Sequence, residues 1–527
     1  MRVGLIVVVA LVLGGAHGVT MGAATSAIGV STSAAPPASA SGASLAPASA
    51  QVPALITSGV NAQGADGSTA LLWASHRNDI AEVKRLIQAG ANVSLANRYG
   101  ATPMSEAALQ GETEVLALLL KAGANVNSPN PEGQTALMLV ARTGNVDAAK
   151  LLLSHGAAVD AREQWGQQTA LIWAAAESQP QMVKFLLEHH ANPNARAITR
   201  DWQRKVTAEG RPKDMHRGGF TPLLYAARES CIECAKALLS HGADINLPDP
   251  DGRTALLISL LNFHWDLAQF LISKRADVNA WDFWGESPLY VAVDLNAPQR
   301  TGRADLPPIE TNSGIDIVAL LLNSGANPNV QLKLRPPYRH AIFDRNNSPI
   351  FTTGATPLMR AARGADLASM KLLLDHGALV DLPNINNVTP LLAAAGAGRG
   401  MTAINGHVVS EKETIETIRV LTDAGANVNT VPKSGETALH TASLRGWNEL
   451  VKLLVTDGAQ LDVPARTGLT PIDFAMARYQ PGFLEPKPSP HTDTADLLKQ
   501  LGAKAEHTHL PPWPGVPTPT ITAQVPE

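Results

Sequence analysis

The chain has 527 residues, a formal net charge of −4 and only 4% aromatic side chains. So weak an overall field excludes a general polyanion binder and gives no basis for attraction to an anionic membrane surface. At this length an ordinary sequence is expected to divide into several globular domains, unless repeated units stack on one another and escape that limit.

Residues 1–18, MRVGLIVVVALVLGGAHG, open with one Arg and an apolar run from Val3 to Leu13. Ala16 and Gly18 follow as small residues at −3 and −1, the form of a secretory signal peptide. The run is too short to span a bilayer comfortably, and no Cys follows it for lipid attachment. The expectation is an exported protein beginning near Val19, periplasmic or extracellular, with an uncleaved N-terminal anchor as the rival reading. Residues 19–52 are Ala, Ser, Pro and Gly with almost nothing to bury, and are expected to be a disordered tether.

From 53 to 503 the sequence repeats. A partial unit around Val52–Ala62 ends like a second helix and reads as an N-terminal half-cap. Gly residues at 67, 100, 133, 166, 219, 252, 285, 354, 435 and 468, with Asn387 in the same slot, precede a Thr-Pro-Leu or Thr-Ala-Leu cap, and seven of their intervals are 33 residues. The unit is clearest from Gly354 to Asn386. Thr356 caps a short helix begun by Pro357, and Gly364-Ala365-Asp366 breaks it. A second helix carries Met370, Leu372, Leu373 and Leu374, and Gly377 stands where a left-handed residue ends it. Neither helix is long enough to stand alone, so the unit needs copies on both sides.

This periodicity, with Gly-Ala-Asn-Val-Asn as a second marker at Gly90, Gly123 and Gly425, resembles the ankyrin repeat. The resemblance implies an all-α solenoid of about eleven repeats with hairpin-like fingers. It also implies that partners bind the fingers and the face lined by the first helices. Trp73 and Trp173 replace a usual leucine and read as core. Glu106 and Arg360 put charge in that slot and are expected to reach a neighbouring repeat or an inserted loop.

Two fingers are lengthened by about 19 residues each, after Asn194 and after Asn329. The first carries Trp202, Arg204 and Lys205; the second carries Arg335, Tyr338 and Arg339. Between them lies a finger reading Trp281-Asp282-Phe283-Trp284. Basic residues interleaved with aromatics suit an acidic protein surface, since Arg and Trp are enriched at interface hot spots. They would also suit a glycan, and loops folding back to cover a groove would give the same composition. Three further insertions fall in helix–helix loops, at 294–313, 396–413 and 479–494, and residues 504–527 form a proline-rich tail with Trp513.

Catalysis finds no support. There is no His-Glu-x-x-His, no Gly-x-Ser-x-Gly and no phosphate loop, so no cofactor or catalytic residue is expected. His155, His241 and His376 recur at the ends of second helices, with His189-His190 extending the row, and repeat stacking holds such positions too far apart to share a metal ion. Cys231 and Cys234 leave three readings open: an exposed redox pair, a structural disulfide in an oxidising compartment, or free core thiols with Cys231 capping a helix. The reading is therefore a non-catalytic interaction scaffold of the cell envelope, monomeric alone, without cofactor or metal. Its partner is a protein or, alternatively, a glycan; nucleic acid is a poor candidate for an exported chain. Delivery into a host cell as a secreted effector is a third reading.

Overall fold

A computed structural model describes residues 59–203, 214–296, 311–334, 352–396, 409–478 and 489–504, all within the unit Val52–Glu527. The signal-peptide, tether and tail readings at 1–18, 19–52 and 505–527 lie outside these residues.

Among the described residues, twenty-two helices follow one another as eleven pairs. They are α1 (Ala70–His76) with α2 (Ile80–Gln88), α3 (Pro103–Gln110) with α4 (Thr113–Lys121), α5 (Ala136–Thr143) with α6 (Val146–Ser154), and α7 (Ala170–Ala176) with α8 (Pro180–Glu188). After a hairpin of β1 (Thr199–Gln203) and β2 (Asp214–Gly218) come α9 (Pro222–Arg228) with α10 (Ile232–Ser240), α11 (Ala255–Leu261) with α12 (Trp265–Ser273), and α13 (Pro288–Asn296) with α14 (Gly314–Asn323). The stack closes with α15 (Pro357–Arg363) and α16 (Leu367–Asp375), α17 (Pro390–Ala395) and α18 (Glu411–Asp423), α19 (Ala438–Arg445) and α20 (Asn448–Thr456), and α21 (Pro471–Ala475) and α22 (Thr492–Gln500). Each first helix packs on the first helix of the next pair along the whole stack. The architecture is the all-α solenoid expected, and the β1–β2 ribbon extends one finger of it.

Short first helices are worth forming here because their ends are satisfied locally. Thr69, Thr169, Thr221, Thr254, Thr356 and Thr389 each accept the N–H three residues on, and Pro occupies the first helical position at 103, 222, 357, 390 and 471. Their apolar faces, among them Leu71, Leu137, Leu171, Leu223, Leu256, Leu289, Leu358, Leu391 and Leu439, are buried in one cluster running from Ala70 to Leu498. Truncating such a leucine to alanine typically costs about 2–5 kcal/mol.

The Asn-x-Asn marker has a physical reason that the sequence alone did not disclose. The last Asn of the marker (Asp-x-Asn at 277–279) clasps the following repeat at its helix C-terminus, donating one amide N–H and accepting at its oxygen. Asn127, Asn194, Asn279, Asn329 and Asn429 donate to the carbonyls of Gly156, Gly242, Gly325, Gly377 and Gly458 at 2.9–3.0 Å. Their side-chain oxygens accept from Ala158, Asp244, Asn327, Leu379 and Gln460 N–H at 2.8–2.9 Å. Gly377 has φ +86°, and a Cβ there would meet nothing within 4 Å. Gly377→Val is therefore expected to cost about 1 kcal/mol through the backbone alone. A denaturant melt checks this, and an unchanged midpoint would contradict it.

Candidate functional site

The fingers form a row fixed by backbone hydrogen bonds. Within a finger, an Asn or Asp at the first turn position accepts the N–H groups two and four residues on: Asn97 from Tyr99 and Ala101, Asp282 from Trp284 and Glu286, Asn384 from Asn386 and Val388. Between fingers, the N–H of Arg98 reaches Asp66 O, Gln164 reaches Glu132 O, Phe283 reaches Asp251 O, Lys333 reaches Trp284 O, and Lys433 reaches Asn386 O, at 2.7–3.0 Å. Side chains on these turns are thus presented on a pre-ordered frame.

On the aromatic finger, Trp281 is 54% and Phe283 53% exposed. The Lys333 ammonium stands 3.0 Å from the centroid of the Trp281 ring, a cation–π contact that joins this finger to the next. Trp284 departs from the expectation of a partner contact. It is 1% exposed and belongs to the interior. The reason is the following finger: Lys333 and Leu334 N–H both bond to Trp284 O, and the Arg253 guanidinium lies 4.7 Å over its ring.

Beneath that ring sits a buried charged group. Arg253 lies 3.5 Å from Asp282 and 3.7 Å from Asp251. Burial pushes the Asp282 carboxyl up, against the backbone N–H of Glu286 and the charge of Arg253, which pull it down. Burial likewise raises Asp249. A carboxyl whose pKa is raised in the folded state penalises folding once ionised, so these two groups make the finger's base more stable as pH falls.

In the first long finger β1 and β2 pair antiparallel, with Trp202 opposite Met215. The Trp202 side chain and residues Arg204 and Lys205 lie outside the described residues, as do Arg335, Tyr338 and Arg339 of the second. At the root of the hairpin a feature appears that sequence reading passed over. Trp165, 64% exposed, lines a groove with Trp173 of α7 and Tyr225 of α9. Trp165 occupies the same turn slot as Tyr99 and Trp284, and that shared slot was the signal available.

Trp73 and Trp173 are half-buried against the core, not within it, and Arg142 lies 4.9 Å over the Trp173 ring. The charges in the same slot reach neighbouring repeats as expected: Glu106 bonds His76 at 2.8 Å, and buried Arg360 pairs with Asp294. Cys231 and Cys234 are joined by a disulfide at the start of α10, where the Cys231 sulfur also accepts the Cys234 N–H. His155, His189, His241 and His376 each donate Nδ1–H to the carbonyl four residues back at 2.8–2.9 Å, capping their own helices, and His190 takes the left-handed slot that glycine fills elsewhere. Among the described residues no group of histidine, cysteine or carboxylate is placed to hold a metal ion, and no helix is long and apolar enough to cross a membrane.

Comparison with known sequences accords with this architecture. Family descriptions of ankyrin repeats match residues 43–130, 123–197 and 406–506 (three copies), 223–272 (many copies) and 353–385 (single repeat). The chain belongs to the ankyrin repeat family, a class of protein–protein interaction modules. It is similar to human transient receptor potential cation channel subfamily A member 1, 25% identical over 76% of this chain and 31% of that protein. It is also similar to dog inversin (29% identical; 45% of this chain, 18% of that protein) and human ankyrin repeat and SOCS box protein 16 (26%; 49% and 48%). The chain thus spans less than half the length of each. Among solved structures it matches the ankyrin repeat domain of Bcl-3, 26% identical over 43% of this chain and 94% of that one, with a TM-score of 0.36.

Proposed function

We propose that this protein is a non-catalytic scaffold of the cell envelope that binds an acidic partner protein along its finger edge. The observation that carries the reading is the pair Trp281 and Phe283, both more than half exposed on a hydrogen-bonded frame and bordered by the Lys333 ammonium. Large rings held in place lose little entropy on binding, and a neighbouring cation steers an acidic surface toward them. Arg204, Lys205, Arg335, Tyr338 and Arg339 lie outside the described residues and join the proposed site from their sequence alone, and the leader read at 1–18 would carry the protein to the envelope.

The test is capture with a Trp281→Ala/Phe283→Ala variant. The expected result is a faster release of the partner retained by the parent chain, with an unchanged melt. Retention of the same partner at unchanged affinity by a folded double variant would overturn the site. Capture that is insensitive to salt, and lost only on adding free oligosaccharide, would favour a glycan instead.

A further inference from the structure

We propose that the Cys231–Cys234 disulfide at the start of α10 is exchangeable: it accepts two electrons from a protein dithiol, through attack on the Cys231 sulfur. The inference goes beyond the docking role above and does not depend on it.

The fold does not need this bond. Before α2 and α16 the corresponding residues are Asp79 and Asp366, whose carboxylates accept the N–H three residues on and start nine-residue helices with no cross-link. Asn145 does the same for α6. In α10 the Cys231 sulfur makes the equivalent bond, accepting the Cys234 N–H at 3.2 Å. The turn leading in is also the ordinary one. Ser230 has φ +58°, as Asn78 has +53° and Ala365 +52°. The Cys231 N–H reaches Ala226 O, just as Asp79 reaches Ala74 O and Asp366 reaches Ala361 O. The disulfide therefore ties a turn that hydrogen bonds already hold. A link between residues three apart closes a very short loop, where a disulfide removes least entropy from the unfolded chain.

The two sulfurs differ in access. Cys234 is 0% exposed, in the core slot that Val115 and Ala148 fill in earlier repeats, whereas Cys231 is 9% exposed at the helix end. An incoming thiolate meets Cys231 first. It attacks the Cys231 sulfur and forms a mixed disulfide, and the bond to Cys234 breaks with its electron pair, and then a proton, going to Cys234. The second thiolate of the same dithiol then attacks its own sulfur in the mixed disulfide and expels Cys231 as a thiolate. The dithiol leaves as a disulfide, two electrons poorer, its second proton passes to solvent, and no further oxidant is needed.

The reduced product is stabilised where it forms. The Cys231 thiolate keeps the Cys234 N–H and lies at the positive end of the α10 dipole. The carboxylates adjoining it in sequence are engaged, Glu233 with Lys236 and Glu229 with Arg228, each at 2.7 Å. Stabilising the reduced pair makes the disulfide a readier electron acceptor.

The test uses the full chain. Dithiothreitol is added without denaturant, and the released thiols are alkylated with iodoacetamide across a pH series while circular dichroism follows the helices. The disulfide is expected to open with the helical signal unchanged. Alkylation should fall first on Cys231, with a midpoint below the ordinary thiol value of about 8.5. The untreated chain should oxidise a synthetic dithiol peptide, one peptide disulfide per chain. Two single variants separate the sulfurs, and a serine at 231 still caps the helix. Cys234→Ser should form a mixed disulfide with an oxidised peptide at least about tenfold faster than Cys231→Ser. Opening only as the helices melt, alkylation first at Cys234, a midpoint at or above about 8.5, no oxidation of the peptide, or equal rates for the two variants would each overturn the proposal and leave the bond a structural one.

Discussion

Trp284→Ala is expected to cost about 3–5 kcal/mol, whereas Trp281→Ala and Phe283→Ala, three and one residues earlier, should each cost well under about 1 kcal/mol. The indole of Trp284 is 1% exposed, with Arg253 on one face and the Lys333–Leu334 backbone bonded to its carbonyl. Removing it opens a cavity and also leaves Arg253 without its ring beside Asp282 and Asp251. In a repeat stack each unit leans only on its neighbours, so the loss should be concentrated near α11 to α14 and not shared equally along the chain. Hydrogen exchange followed by mass spectrometry reads this directly, as faster exchange confined to that region. Wild-type protection throughout in Trp284→Ala would contradict the burial of the ring.

The second large effect is an acid-dependent loss centred on His440. This side chain is fully buried, and burial drives its pKa down to about 4, against the opposing pull of the Leu469 carbonyl and Asp473. The ring accepts the Thr437 N–H at Nδ1 (3.1 Å) and donates from Nε2 to Leu469 O (3.2 Å), so a second proton would set a donor against a donor. A histidine with a folded pKa below its unfolded value keeps the folded state stable above about pH 6.5. That stability declines as pH falls from about 6.5 to about 4, and below that the loss is complete, amounting to roughly 3 kcal/mol. Asp249 and Asp282 act in the opposite sense, so the informative quantity is a difference between variants. The stability gap between wild type and His440→Asn at pH 7 should close by about that amount at pH 4. A gap independent of pH would show that His440 does not titrate as argued.

How legible these features were depends on how far apart the responsible residues lie. The eleven helix pairs could be read because each cap, break and left-handed turn is local: Thr356 and Pro357 start α15, and Gly377 follows α16 within one unit. The difference between Trp281 and Trp284 could not be read, because both sit in one short finger. Which ring is buried is decided by Lys333 and Leu334, some fifty residues later. The Trp165 groove was missed for a related reason. Its rings come one each from a finger, from α7 and from α9, and no single stretch looks aromatic. Half-burial of Trp73 and Trp173 likewise follows from a wide ring in a slot sized for leucine. The histidine row at 155, 189, 241 and 376 was legible as a position at the ends of second helices, whereas the bond from each ring to the carbonyl four residues back emerged only in the fold.

The central claim, that the partner seats on the finger edge, is tested most directly by site-specific photo-crosslinking. A photoreactive residue is placed at position 283, on the aromatic finger, and in a second variant at position 236, on the half-exposed outer side of α10. The account predicts that the captured partner crosslinks from 283 and not from 236, and that salt reduces the yield. Equal crosslinking from both positions, or crosslinking from 236 alone, would contradict it.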